Sequence, residues 1–180
     1  MTITEEEWYF LNSAKIWLRG IMHQGQRLLT NQQQTRDVMQ AITLDTLMQH
    51  QNYLVLNDLR IVEEHFFVNS VSKAIDWLKE VKKFRKDLSI NIDEFIHNFP
   101  EARDLRNMRE HDVDYFKGDG KVQDRFVKKL SDVTVDGSAS FSDNKDYLVG
   151  GRLNVQQAID AAQKLYPKIE KASLEIHDVE

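Results

Sequence analysis

The chain has 180 residues and a formal net charge of −5: enough length for one substantial core, too little for two comfortable domains, and the wrong sign for a protein that coats nucleic acid by bulk electrostatics. It has no cysteine, which excludes disulfides and thiolate metal sites, so the reducing cytoplasm is the expected compartment. No apolar run approaches the roughly 20 residues that cross a bilayer, and the acidic start lacks the order of a signal peptide, so no membrane association is expected. With only 2 prolines and 7 glycines, the composition favours long helices, and a single all-α domain over 1–180 is expected.

In chain order, Thr4 followed by Glu7 forms a capping box, after which Trp8, Leu11, Ala14, Leu18, Ile21 and Met22 recur at helical period. This predicts a helix to about Leu29, ended by the polar Thr30-Asn31 pair, with Trp8 and Trp17 as packing residues. From Thr35, the set Val38, Ile42, Leu44, Leu47, Met48, Tyr53, Leu54 and Leu56 starts a second helix that continues through Leu59, Val62, Phe66 and Phe67. The densest apolar stretch, Phe66 to Val81, is assigned to the core as a hairpin or one long helix. Beside it, Glu63-Glu64-His65 reads as a solvated face or, at Glu64, as a partner for an arginine further on. Lys79, Lys82, Lys83, Arg85 and Lys86 read as cations complementing a helix C-terminus or as a patch that guides RNA.

After a turn at Lys86–Ser89 comes a short helix, Ile92 to Asn98, and then Pro100 at the first turn of a helix reaching about Phe116. Its Ala102, Leu105, Val113 and Phe116 are expected to face the core, and Gly118 and Gly120 stop it. Inside this helix lie Arg106, Asn107 and His111. Arginine offers a permanently charged planar donor fork, and histidine takes up and releases a proton near neutrality, a pairing suited to phosphodiester chemistry. On an ideal helix Arg106 and His111 stand about 140° apart, whereas Asn107 and His111 share a face. One helix alone would not converge all three, which points to a cleft shared between subunits.

Further on, Val133, Val135, Ala139, Phe141, Tyr147, Leu148 and Val149 alternate with polar residues between Asp136-Gly137 and Gly150-Gly151, predicting a small β-hairpin over about 132–150. Asn154 with Gln157 caps a last helix, Val155 to about Leu174, which Pro167 is expected to bend. Two other chemistries compete. Glu94 and His97 supply one E-x-x-H, but no second one completes a di-iron set. His111-Asp112 resembles the H-D pair of metal phosphohydrolases, with His50, His65 and Asp124 as available ligands. No G-x-S-x-G elbow is present.

Arg106-Asn107, three residues and His111 resemble the R-N-x-x-x-H signature of the HEPN superfamily, many of whose members are metal-independent ribonucleases. The resemblance implies a helical bundle of four to six helices, with the β-hairpin as an insert before the last one. It implies an endoribonuclease leaving 2′,3′-cyclic phosphate and 5′-hydroxyl ends, with His111 as general base, Arg106 stabilising transition-state charge and Asn107 binding or orienting the phosphate. RNA is the expected partner, contacted also by Arg103, Arg109, Lys82, Lys83 and Arg85, with no metal and no cofactor. A homodimer with facing motif helices, a toxin–antitoxin or phage-defence setting and an antitoxin partner are further expectations. Many HEPN toxins continue H-x-Y, whereas here Val113 occupies that place and the nearest tyrosine is Tyr115. The alternative is a non-catalytic HEPN-fold nucleotide-binding or protein-interaction module.

Overall fold

The computed structural model describes residues 4–41, 46, 51–130, 133–136, 139–142 and 146–175. In chain order these form α1 (Glu5–Ala41), α2 (Gln51–Phe84), a 3-10 turn (Lys86–Leu88), α3 (Ser89–Asn98), α4 (Ala102–Glu110), α5 (Asp112–Lys117), α6 (Gln123–Phe126), β1 (Val127–Leu130), β2 (Val133–Asp136), β3 (Phe141–Ser142), β4 (Tyr147–Val149), β5 (Leu153–Asn154) and α7 (Val155–Leu174). The protein is predominantly helical, as composition and periodicity require.

The core is a junction of three apolar stripes. Along α1 the buried positions are Leu11, Ala14, Leu18, Ile21, Gly25 and Leu28, along α2 Phe67, Val71, Ala74, Leu78 and Val81, and along α7 Val155, Ala158, Ala162, Leu165, Ile169 and Ala172. All three alternate steps of three and four, the spacing that keeps one face of a helix against a neighbour over many turns. α1 accordingly packs on both α2 and α7. Gly25 lies against both neighbours: a β-carbon there would stand 2.7 Å from Ile159 Cγ1 and 3.2 Å from Phe67 Cε2.

The first and last helices start where the sequence places them. Thr4 N–H donates to Glu7 Oε2 (2.9 Å) and Glu7 N–H to Thr4 Oγ1 (3.2 Å), a reciprocal box, while Gln157 N–H donates to Asn154 Oδ1 (3.0 Å). α7 is a single helix across Pro167. The end of α1 differs from expectation. It runs through Thr30-Asn31 because the hydroxyls of Thr30 and Thr35 donate to the carbonyls of Gln26 and Asn31 (2.9 and 2.8 Å), and Asn31 Nδ2 reaches Leu56 O (3.3 Å). These polar groups satisfy themselves without breaking the ladder, so Thr35 and Val38 belong to α1. Ile42, Leu44, Leu47, Met48 and His50 lie outside the described residues.

Two further corrections concern faces. Phe66, assigned to the core, is exposed, as are Leu54, Leu59 and Val62 on the same helical pattern, while Phe67 is fully buried and Trp17 packs partly against the core. The motif helix does not run from Pro100 to Phe116. It opens at Ala102 and breaks at His111, whose φ of −122° and ψ of 31° leave the helical region and separate α4 from α5. Turning the chain there points Val113 and Phe116 outward, at 59% and 86% exposure, and brings Tyr115 into the core, while Met108 is buried on α4 itself. The β region is larger than one hairpin over 132–150: β1 pairs antiparallel with β2 from Val127↔Asp136 to Leu130↔Val133, and β3, β4 and β5 form a second antiparallel sheet.

Gly25→Ala should lower stability, because overpacking costs about 1–3 kcal/mol against a helix-propensity gain of about 1 kcal/mol. Gly20→Ala, whose β-carbon would meet Ser70 Oγ at 3.3 Å and make ordinary contacts with Ser70 Cβ and Trp17 Cε3 at 3.6 and 3.8 Å, should be neutral or stabilising. Urea melts of the two variants check the ordering.

Candidate functional site

α4 is short and two-sided. Ala102, Leu105 and Met108 are buried, and the opposite face, with Arg103, Arg106 and Asn107, lines a cleft of about 480 Å³ that His111, Asp114 and Tyr115 continue. The far wall is the loop carrying Asp119, Gly120, Lys121 and Val122. Gln123 ties that loop back onto α5, its Nε2 donating to Tyr115 O (2.7 Å) and its Oε1 accepting from Gly120 N–H (3.0 Å).

Within the cleft the Arg106 guanidinium donates from Nε and Nη2 to Asn107 Oδ1 (3.2 and 2.6 Å) and lies 3.5 Å from Glu110 Oε2. Asn107 therefore aims the arginine and keeps its own amide nitrogen for another acceptor. The His111 side chain is 64% exposed, with Nδ1 3.6 Å from Asp114 Oδ2, longer than a hydrogen bond yet close enough for a small ring rotation to close. Because the helix breaks at His111, the 140° separation drawn from an unbroken helix does not apply. Arg106, Asn107 and His111 line one cleft within one chain.

The other sequence-derived cations divide. Arg103 faces the cleft. Arg109 points away, to Glu64. Lys82, Lys83 and Arg85 do not line the cleft, and their charges meet Asp93, Glu80, and Asp87 with Glu175. Lys121, which sequence reasoning missed, joins the site from the loop, and no acid pairs with it or with Arg103 among the described residues. The signal was a Gly-Asp-Gly-Lys turn directly after the motif, read only as a helix stop.

Behind α4 lies a buried polar cluster centred on Glu64, 2% exposed, which excludes the solvated-face reading of Glu63-Glu64-His65. Arg60 Nη1 (2.7 Å) and the Tyr147 hydroxyl (2.6 Å) donate to Glu64 Oε1, and Arg109 Nη2 donates to Oε2 (2.7 Å). Burial pushes the Glu64 carboxyl upward, but hydrogen bonds from Ser140 and Tyr147 and the charge of Arg109 outweigh it and hold the carboxyl below its ordinary 4.5. Burial, reinforced by the Glu64 charge, drives the Tyr147 phenol well above its usual range. Gly150 is also required here: at φ +60° it brings its backbone so close to Leu105 that a β-carbon would stand 2.5 Å from Cδ1.

The competing metal chemistries find no gathered ligand set: among the described residues no group of three or more histidines and carboxylates is placed to hold an ion, and Glu94 is bound to Lys164 (2.6 Å). Among those residues, no helix is long and apolar enough to cross a membrane. The chain matches no family model, no curated protein and no solved structure.

Glu64→Ala should cost about 3–5 kcal/mol, since it leaves buried guanidinium charge unpaired. A carboxyl held below its unfolded value stabilises the fold above that value, and the contribution is lost as pH falls through the folded one. The melting-temperature gap between wild type and Glu64→Gln should therefore be full above about pH 4.5 and narrow under more acid conditions, as thermal melts across pH 3–7 would read.

Proposed function

We propose that the protein is a metal-independent endoribonuclease acting at the Arg106–Asn107–His111 cleft. The observation that supports this is the convergence on one cleft of a permanent cation aimed by an amide, an exposed imidazole beside a carboxylate, and two further cations, Arg103 and Lys121, without acid partners. Asp104, Asp114 and Asp119 line the same cleft, so the positive charge suited to a phosphate ligand is local to Arg103, Arg106 and Lys121.

In this reading a ribose 2′-hydroxyl enters beside His111. Asp114 accepts Nδ1–H, so Nε2 is the free base that removes the 2′-proton. The 2′-oxygen attacks phosphorus, the P–O5′ bond breaks, and the imidazolium returns its proton to the departing 5′-oxygen. The products are a 2′,3′-cyclic phosphate and a 5′-hydroxyl. Arg106 meets the charge that grows on the non-bridging oxygens, and Asn107 both aims Arg106 and donates to the phosphate. The HEPN resemblance adds a toxin–antitoxin or phage-defence setting with an antitoxin partner.

One observation favours the second reading, a non-catalytic nucleotide-binding or interaction module: Glu110 and Asn107 already satisfy much of Arg106. RNA cleavage decides between the two. Wild type should cut mixed RNA in EDTA and leave DNA intact, while Arg106→Ala and His111→Ala should each lose about a hundredfold or more. His111→Ala should melt close to wild type because the side chain is exposed. Cleavage that EDTA stops and manganese restores, or that survives in His111→Ala, would overturn the assignment.

A further inference from the structure

α4 contributes to two cavities. Arg103, Arg106 and Asn107 face the motif cleft, whereas Met108 and Arg109 face another cavity, of about 330 Å³, which Arg60, Glu64 and His65 of α2 and the Ala139-Ser140 segment complete. The two share no lining residue.

Charge does not balance in the second cavity. Arg60 and Arg109 both pair with the single carboxylate of Glu64, at 2.7 Å each. That carboxylate is 2% exposed and its oxygens are occupied, Oε1 by Arg60 and Tyr147 and Oε2 by Arg109, so two guanidiniums divide one negative charge. Asp112, the other acid of the wall, is exposed and turns Oδ1 to Val113 N–H (2.7 Å). Solvent and salt screen it there, and it forms no ion pair with either arginine among the described residues.

Donors remain without acceptors as well. Arg109 directs Nη2 to Glu64 and Ser140 (2.7 and 3.5 Å), while its Nε is buried with no partner, a costly state for a charged group. Among the described residues, Arg109 Nη1 and both ring nitrogens of His65 have no hydrogen-bond partner either. An imidazole offers at least one N–H in either protonation state. These donors arrive from α2 and α4, and a tetrahedral oxyanion with three free oxygens serves all of them where the two coplanar oxygens of a carboxylate would not. Arginine forks are matched to phosphate, and Ile61 and Met108 supply an apolar wall for an organic substituent.

We propose that the Arg60–Arg109 cavity binds a small phosphate monoester, held by the two guanidiniums and His65. Its volume lies near the lower end of the range of ligand pockets, about 300–1,000 Å³, so the ligand is small. The site is separate from the motif cleft and does not depend on the ribonuclease reading.

Calorimetry in an Arg106→Ala background, which removes the guanidinium of the motif cleft, tests this site alone. Ribose 5-phosphate should bind saturably, and inorganic phosphate more weakly. Arg60→Gln should weaken both by about tenfold or more, the effect of losing one charge-assisted hydrogen bond. Ala139→Glu, at an exposed position of the wall, leaves Arg60, Glu64 and Arg109 in place and should weaken both as much with unchanged circular dichroism. No binding of either probe at about 10 mM, a free energy weaker than about 3 kcal/mol, would overturn the proposal. So would binding that Ala139→Glu leaves intact, or acetate binding as tightly as inorganic phosphate.

Discussion

The structure depends on what surrounds one carboxylate. Glu64 comes from the middle of α2, Arg109 from α4, Tyr147 from β4, and Ser140 from the segment before β3, and all meet at its two oxygens or at each other. A charge at this depth is costly unless it is paired and hydrogen-bonded, so the four elements are bound to a single arrangement. Specificity is the larger gain: an apolar contact of similar area would let α4 slide along α2, whereas a carboxylate with three named donors would not.

That constraint matters because α4 has only nine residues, too few for a helix to be stable by itself. Its position is imposed from both ends and from behind. Near its start, Asp104 is paired with Arg125 and Glu101 with Arg152. Behind it, Leu105 lies under the Gly150 turn and Arg109 reaches Glu64. Arg106 and Asn107 thus project from a helix whose rotation about its axis is fixed by residues outside the cleft.

Much of this was legible in the sequence, where the signal is local. The Thr4–Glu7 box, the Asn154 cap, the buried stripe of α1 and the choice of Arg106, Asn107 and His111 as the residues to watch all follow from spacing and side-chain chemistry. What was missed depends on partners distant in sequence. Thr30-Asn31 looked like a stop because its hydrogen bonds to the helix's own carbonyls and to Leu56 are invisible to composition. Arg109 looked like a third RNA contact because Glu64, 45 positions away, is hidden in an acidic run. Phe66 was read as core with the rest of its apolar stretch, since periodicity reports that a face is apolar but not what covers it.

The break at His111 shows how a local departure reshapes a site. An unbroken helix would have buried Val113 and Phe116 and left His111 turned from Arg106. Instead the His111 N–H still reaches Asn107 O and Met108 O (3.1 and 3.3 Å), closing α4, while its carbonyl accepts from Asp114 and Tyr115 N–H (3.0 and 3.1 Å), opening α5. The residue serves both helices without belonging to either, and at the turn Val113 N–H is met by the side chain of Asp112 (Oδ1, 2.7 Å) rather than by a carbonyl of α4. Tyr115 then enters the core and carries the 118–122 loop with it through Gln123, so the same bend that exposes the imidazole also brings up the opposite wall of the cleft. Cleft and core are consequences of one change in backbone direction, which ties a reactive side chain to the packing of a buried tyrosine four residues later.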